Sequence, residues 1–145
     1  MIVWLTGQPG AGKTVLGTAL KNQINNSIHI DGDDLRSIFD NTDYGENGRR
    51  RNVEIAQQIA YFLHIKGFNV IVSLVSPYKD QRDFFKKKLA DKLIEIYVHT
   101  TEIRGKEKFH VKDYQKPSEN FFDLDTTNIC VEECIKKIIK FKNND

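Results

Sequence analysis

The chain has only two cysteines, Cys130 and Cys134, and no cluster of histidines to go with them. Two ligands without matching histidines do not make a zinc site. The pair lies four residues apart in a helical pattern with Val131, Ile135 and Ile138, so both read as small buried apolar residues. An excess of one charge is also missing. Lys and Arg number 22 and Asp and Glu 20, for a net charge of +2. That is too little to argue for a nucleic-acid partner. Of the two local basic runs, Lys86-Lys87-Lys88 reads as a solvated helix face, and Arg49-Arg50-Arg51 opens a helix discussed below. No apolar stretch approaches the ~20 residues that span a bilayer, so no membrane partner is expected. Strand-like sequence starts at Ile2, so no signal peptide is expected and cytoplasmic residence is the expectation. No repeat, linker or low-complexity tract interrupts the chain. No Asn-Lys-x-Asp segment occurs, which excludes a guanine-reading switch of the usual kind.

The 145 residues, 39% hydrophobic and 29% charged, fit one soluble domain with a real core, 1–145. Within it, Gly7-Gln8-Pro9-Gly10-Ala11-Gly12-Lys13-Thr14 is a full phosphate-binding loop. The glycines let the backbone curl so that successive N–H groups face phosphate oxygens. Lys13 supplies a point charge for the β- and γ-phosphates, and Thr14 offers a hydroxyl to Mg²⁺. The helix that follows from Val15 adds its positive end. The apolar run Ile2-Val3-Trp4-Leu5 in front completes the strand, loop and helix that this motif requires. ATP and Mg²⁺ are therefore the expected donor and metal.

Strand-like and helix-like segments alternate through the rest of the chain. Strands are predicted over Ser27–Asp31, Asn69–Val75, Leu93–Val98 and, at an edge, Phe121–Leu124. Helices are predicted over Val15–Leu20, Asp34–Phe39, Arg49–Lys66, Asp80–Leu89 and Val131–Phe141, with Gly67 as a C-terminal stop. Residues 40–48 are rich in turn formers, and 100–120 are polar and irregular. Such alternation implies an α/β fold with a parallel five-stranded sheet covered by helices on both faces.

Many nucleotide hydrolases of this architecture end a later apolar strand in an aspartate that holds Mg²⁺. Here that strand ends in Ser73-Leu74-Val75-Ser76, and the acids stand instead at Asp31-Gly32-Asp33-Asp34. The carboxyl ends of parallel strands line the ligand crevice, which puts Asp31 and Asp33 near the phosphate loop, with Gly32 turning the chain between them. One carboxylate can assist Mg²⁺ through water and the other can take a proton from an attacking hydroxyl. Asp33 is the leading base and metal candidate, with Asp31 beside it. Asp34 is the predicted cap of the following helix.

This order of motifs resembles the adenylylsulfate kinases, a family of P-loop kinases. Their pattern is a phosphate loop, Asp-Gly-Asp-x-x-Arg, an aromatic followed by Arg-x-x-Asn, and then Ser-Pro-Tyr. Here it is matched by Asp31-Gly32-Asp33-Asp34-Leu35-Arg36, by Tyr44 where Phe is usual, by Arg49 and Asn52, and by Ser76-Pro77-Tyr78 with Arg82 behind. Leu124-Asp125-Thr126 looks like the family's segment beside the nucleotide base. The resemblance implies a three-layer P-loop kinase fold with a lid. It implies that Arg36, Arg49 and Asn52 bind the anionic end of the acceptor, that Tyr44 stacks on its base, and that Ser76 lines the substrate as a wall or a phosphorylated group. A shortened lid, 102–117, carries Arg104, Lys106, Lys108, Phe109, His110 and Lys112. Arg104 can stack on the ATP base, and Phe109 takes the place of the family's lid phenylalanine. The paired arginines usual after the Asn are replaced by Glu54 and Ile55.

The activity this implies is transfer of the γ-phosphoryl group of MgATP to the ribose 3′-hydroxyl of a small 5′-nucleotide. Adenylylsulfate is one acceptor. The other is cytidine 5′-diphosphoramidate, which relatives in surface-polysaccharide pathways phosphorylate. A nucleotide-binding regulator without turnover and a kinase for a non-nucleotide alcohol are the alternatives. The sequence leaves the oligomeric state open, a homodimer included.

Overall fold

In a computed structural model, which describes residues 1–144, the first strand β1 (Ile2–Thr6) is buried along its whole length. A strand covered on both faces needs apolar side chains at every position, and Ile-Val-Trp-Leu supplies them. The others are β2 (Ser27–Asp31), β3 (Asn69–Ser73), β4 (Leu93–His99) and β5 (Phe122–Asp125). Every pairing is parallel, and the order is β2-β3-β1-β4-β5. The three-layer α/β arrangement expected from the alternation is the one found.

Alternate residues of β1 serve the two faces. Val3 and Leu5 join Leu16 and Leu20 of α1 (Lys13–Gln23) and Ile135 and Ile138 of α5 (Val131–Asn143). Ile2 and Trp4 join Leu35 of α2 (Gly32–Ile38), Val53 and Ala56 of α3 (Glu46–Ile65) and Phe85 of α4 (Lys79–Leu89). Trp4 and Phe85 meet edge to face at 5.5 Å.

Several boundaries move for local reasons. Helix α1 starts at Lys13, two residues earlier than predicted, because the phosphate loop itself turns into it at Gly12, whose φ of 106° suits glycine. Strand β3 stops at Ser73 instead of Val75. Helix α3 takes in Glu46-Asn47-Gly48 from the predicted loop. The cap of α2 is Asp31, not Asp34: its carboxylate accepts the Asp33 N–H at 3.0 Å. A strand's last residue is already extended, as a cap must be, whereas Asp34 lies inside the helix. Gly32 is helical and does not serve as a turn; a Cβ there would sit 2.3 Å from Leu74 Cδ1. Of the two cysteines, only Cys134 is buried, and Cys130 lies exposed at the start of α5. Lys86 is not part of a solvated face, since its ammonium pairs with the buried Glu95.

Candidate active site

The phosphate loop leaves β1 at the centre of the sheet, with α1 behind it on one face and α4, which follows the neighbouring β3, on the other. Gly7 passes so close to β4 that a Cβ would lie 2.1 Å from the Val98 carbonyl oxygen. Lys13 is only 8% exposed and donates to the backbone oxygen of Gln8 at 2.8 Å. Burial lowers its pKa from 10.5 to about 8, and the carboxylates of Asp31 and Asp33 oppose that fall. Both acids thus lie near enough to the lysine to act on its charge. Asp33 and Thr14 are exposed, and neither side chain has a hydrogen-bond partner among the described residues. A free hydroxyl and a free carboxylate beside the phosphate lysine fit a hard divalent cation such as Mg²⁺.

The serine at the end of β3 takes a structural place. Ser73 Oγ donates to the Lys13 carbonyl at 3.0 Å and meets His29 Nε2 at 2.8 Å. Since the serine proton is committed to Lys13, His29 must donate, which fixes a proton on Nε2. Burial lowers the pKa of His29, with Asp31 and Asp34 opposing.

On the β2 side, α2, the loop after it and α3 carry Arg36, Tyr44, and Arg49 with Asn52 in turn. Arg36 Nη1 donates to the Asn41 and Asp43 carbonyls at 3.1 and 2.9 Å, and its guanidinium lies 4.1 Å over the Tyr44 ring. Tyr44 is itself 62% exposed. Arg49 has no side-chain hydrogen bond or ion pair among the described residues, so its guanidinium is available to an anion. Asn52 is buried, and its Nδ2 donates to the Gly32 carbonyl at 3.2 Å. It holds the Asp31-Gly32-Asp33 segment in place. Glu54 is exposed, while Ile55 packs partly into the core.

Ser76 departs from its expected role as a substrate-facing group. Its hydroxyl accepts from Trp4 Nε1 at 2.9 Å and donates to the Leu74 carbonyl at 3.2 Å, and the residue is 1% exposed. Its φ of 38° turns the chain toward Pro77. That turn is held by Arg82, which donates to the Ser76 and Gln115 carbonyls and pairs with Glu95 at 2.9 Å.

The segment 102–117 crosses over the phosphate loop. Arg104 Nη1 donates to the carbonyls of Gly10 and Ala11 at 3.2 and 3.1 Å, and Nη2 to Thr126 at 3.2 Å. Thr126 Oγ1 donates to Ala11 at 3.0 Å, and Asp125 caps the next turn through the Thr127 N–H at 2.9 Å. Arg104, Asp125 and Thr126 thus meet at one edge of the loop. Val15, exposed on the first turn of α1, follows it. Phe109 stands 55% exposed near Lys106 and Lys108. Further along, Tyr114 stacks on Tyr97, and its hydroxyl lies 2.7 Å from Thr6 Oγ1; burial raises its pKa. A cleft of about 120 Å³ remains between loop and lid, lined by Gln8, Gly10, Tyr97, His99, Arg104 and His110 among others. Sequence reasoning missed Tyr97, His99 and Tyr114, which carry no motif. Only their place at the carboxyl end of β4 and in the lid could have marked them.

A model of the adenylylsulphate kinase family matches residues 1–120. The chain is 33% identical to a cytidine diphosphoramidate kinase of Campylobacter jejuni over 86% of this chain and 77% of that one. It is 26% identical to an adenylyl-sulfate kinase of Oceanobacillus iheyensis over 97% and 82%. An adenylylsulfate kinase of Mycobacterium tuberculosis solved with AMPPNP and APS superposes with a TM-score of 0.79 at 21% identity, over 98% of this chain and 96% of that one.

Proposed function

The chain belongs to the adenylylsulphate kinase family, and on that premise we propose that it phosphorylates the ribose 3′-hydroxyl of a small 5′-nucleotide with MgATP. The observation that carries this is the buried Lys13 of the phosphate loop with Asp31 and Asp33 close enough to act on its charge, and Asn52, one helical turn from the unpaired Arg49, bonded to the Gly32 carbonyl between the two acids. The backbone of Gly7 to Thr14 holds the donor phosphates, and Arg104, Asp125 and Thr126 border its base. Thr14 and Asp33 would hold Mg²⁺, which when bound neutralises charge on the transferring group. Lys13 leaves the Gln8 carbonyl for the β- and γ-phosphates. Asp33, exposed and unpaired, orients the acceptor hydroxyl and takes its proton. Arg36 and Arg49 grip the acceptor's oxyanions through planar forks, and Tyr44 and Phe109 offer ring faces to its base. Asn52 acts one step back, by fixing the carboxylate segment.

For the acceptor, we favour an amide-ended nucleotide of the cytidine 5′-diphosphoramidate type. The relative at 33% identity carries that name. Glu54 and Ile55 also supply no positive charge, which suits a terminal group less anionic than sulfate. Adenylylsulfate is the second reading, favoured by the family model. The two acceptors at equal concentration, with MgATP and mass analysis of the products, decide between them. A dominant 3′-phosphorylated cytidine product is expected. Phosphorylation of neither, with turnover of a sugar or similar alcohol, overturns the nucleotide reading.

A further inference from the structure

Among the described residues, Gln8 is the one residue of the phosphate loop whose side chain hydrogen-bonds the lid. Its Nε2 donates to the Val111 carbonyl at 2.8 Å, and its Oε1 accepts the Val111 N–H at 2.8 Å. Val111 is buried, although its neighbours His110 and Lys112 are exposed. A primary amide presents a donor and an acceptor side by side, so it pairs with a backbone residue as a neighbouring strand would. The backbone oxygen of the same Gln8 receives the Lys13 ammonium at 2.8 Å. One residue thus touches both the phosphate lysine and the lid. Arg104 on the Gly10 and Ala11 carbonyls and Tyr114 on Thr6 reach from the lid with its own side chains, and Arg82 holds the Gln115 carbonyl near its end.

We propose that Gln8 is a positioning residue: its amide sets the lid in register on the phosphate loop, closing the loop head to water during phosphoryl transfer. Loop residues without this amide would still offer their backbone N–H groups to phosphate, but they would not hold Val111. Water exclusion is what favours transfer over hydrolysis in such a site. The inference rests on the kinase reading above, and its test has a part that does not.

Gln8→Leu removes both bonds at similar volume. Gln8→Glu keeps the acceptor but sets a carboxylate against the Val111 carbonyl. Gln8→Asn shortens the reach and serves if either of the others fails to fold. In Gln8→Leu and Gln8→Asn, hydrogen exchange at the Val111 amide should quicken at least tenfold against the wild type. With MgATP alone, hydrolysis should rise. With an acceptor, kcat for transfer should fall about tenfold or more, as expected for a loosened reacting geometry. The KM for ATP should change less than threefold, since the backbone cradle is intact. A purely structural role would lower stability without changing the partition between transfer and hydrolysis. Unchanged Val111 exchange, or an unchanged partition in folded variants, overturns the proposal. A wild type that transfers to no nucleotide overturns the nucleotide-acceptor reading instead, and Val111 exchange with acceptor-free hydrolysis then judges Gln8 on its own.

Discussion

Lys13 carries two opposed forces in one side chain. Burial favours the neutral amine, and Asp31 and Asp33 favour the cation, leaving a pKa of about 8. Phosphate oxygens would tip that balance fully toward the cation. MgATP binding near pH 8.5 should therefore take up a fraction of a proton, which calorimetry in buffers of different ionisation heat will read. The sign also sets the stability of the free protein. The unfolded lysine, at 10.5, binds more protons than the folded one between about 8 and 10.5, so this residue adds stability as pH rises through that window. Proton release on binding, or no pH-dependent uptake, would refute the assignment of Lys13 to phosphate. Asp33 is the second single-residue case. Asp33→Asn keeps size and polarity but loses the basic charge, and should slow the chemical step about 10²–10⁴-fold. Single-turnover kinetics beside nucleotide titration separate rate from affinity. A collapse of MgATP affinity with an unchanged chemical step would make Asp33 a metal ligand alone and pass the proton to Asp31.

Helix α3 shows how an element divides its labour. Arg49 and Asn52 are three residues apart, close enough on a helix to serve one ligand. The fold gives them different tasks, because Arg49 is unpaired near the surface and Asn52 is buried on the Gly32 carbonyl. Arg49→Ala should raise the acceptor's KM about tenfold or more, the loss of one charge-assisted contact, with the melting temperature unchanged. Asn52→Ala should lower stability by about 1–3 kcal/mol as the Gly32 carbonyl loses its buried partner, and slow kcat through the displaced carboxylates. Equal effects of the two on KM, with no stability loss for Asn52→Ala, would reject the division. This is also where the sequence stops being legible. The motif picks out both residues, but periodicity cannot tell which is satisfied internally. Ser76 makes the same point, since its tripeptide is recognisable while its bond to Trp4 depends on a contact 72 residues away. The elements themselves were readable from apolar alternation and helical spacing. Their ends were less so, because caps such as Asp31 depend on where a strand stops.

The whole molecule converges on the head of the phosphate loop, and one tight packing point ties three of its elements together. His29 of β2, Ser73 of β3 and the Lys13 carbonyl of α1 form a chain of hydrogen bonds at 2.8 and 3.0 Å. Gly17 leaves the space for it. A Cβ there would lie 2.3 Å from His29 Nε2 and 2.4 Å from Ser73 Oγ. Helix propensity alone favours Gly17→Ala by about 1 kcal/mol. Overpacking opposes it by about 1–3 kcal/mol, and two polar groups pushed off their partners add about 1 kcal/mol each. The clash should win. Gly17→Ala should lower the melting temperature by several degrees, at about 2–4 °C per kcal/mol for a chain of this size. It should also raise the KM for ATP, because the start of α1 carries Lys13 and Thr14. Gly17→Ala combined with Ser73→Ala removes one of the two clashing groups and should regain part of the lost stability, though not the bond to Lys13. A single variant as stable as the wild type would mean that the His29 ring moves aside at no cost, and that the sheet edge and the phosphate loop are not rigidly linked.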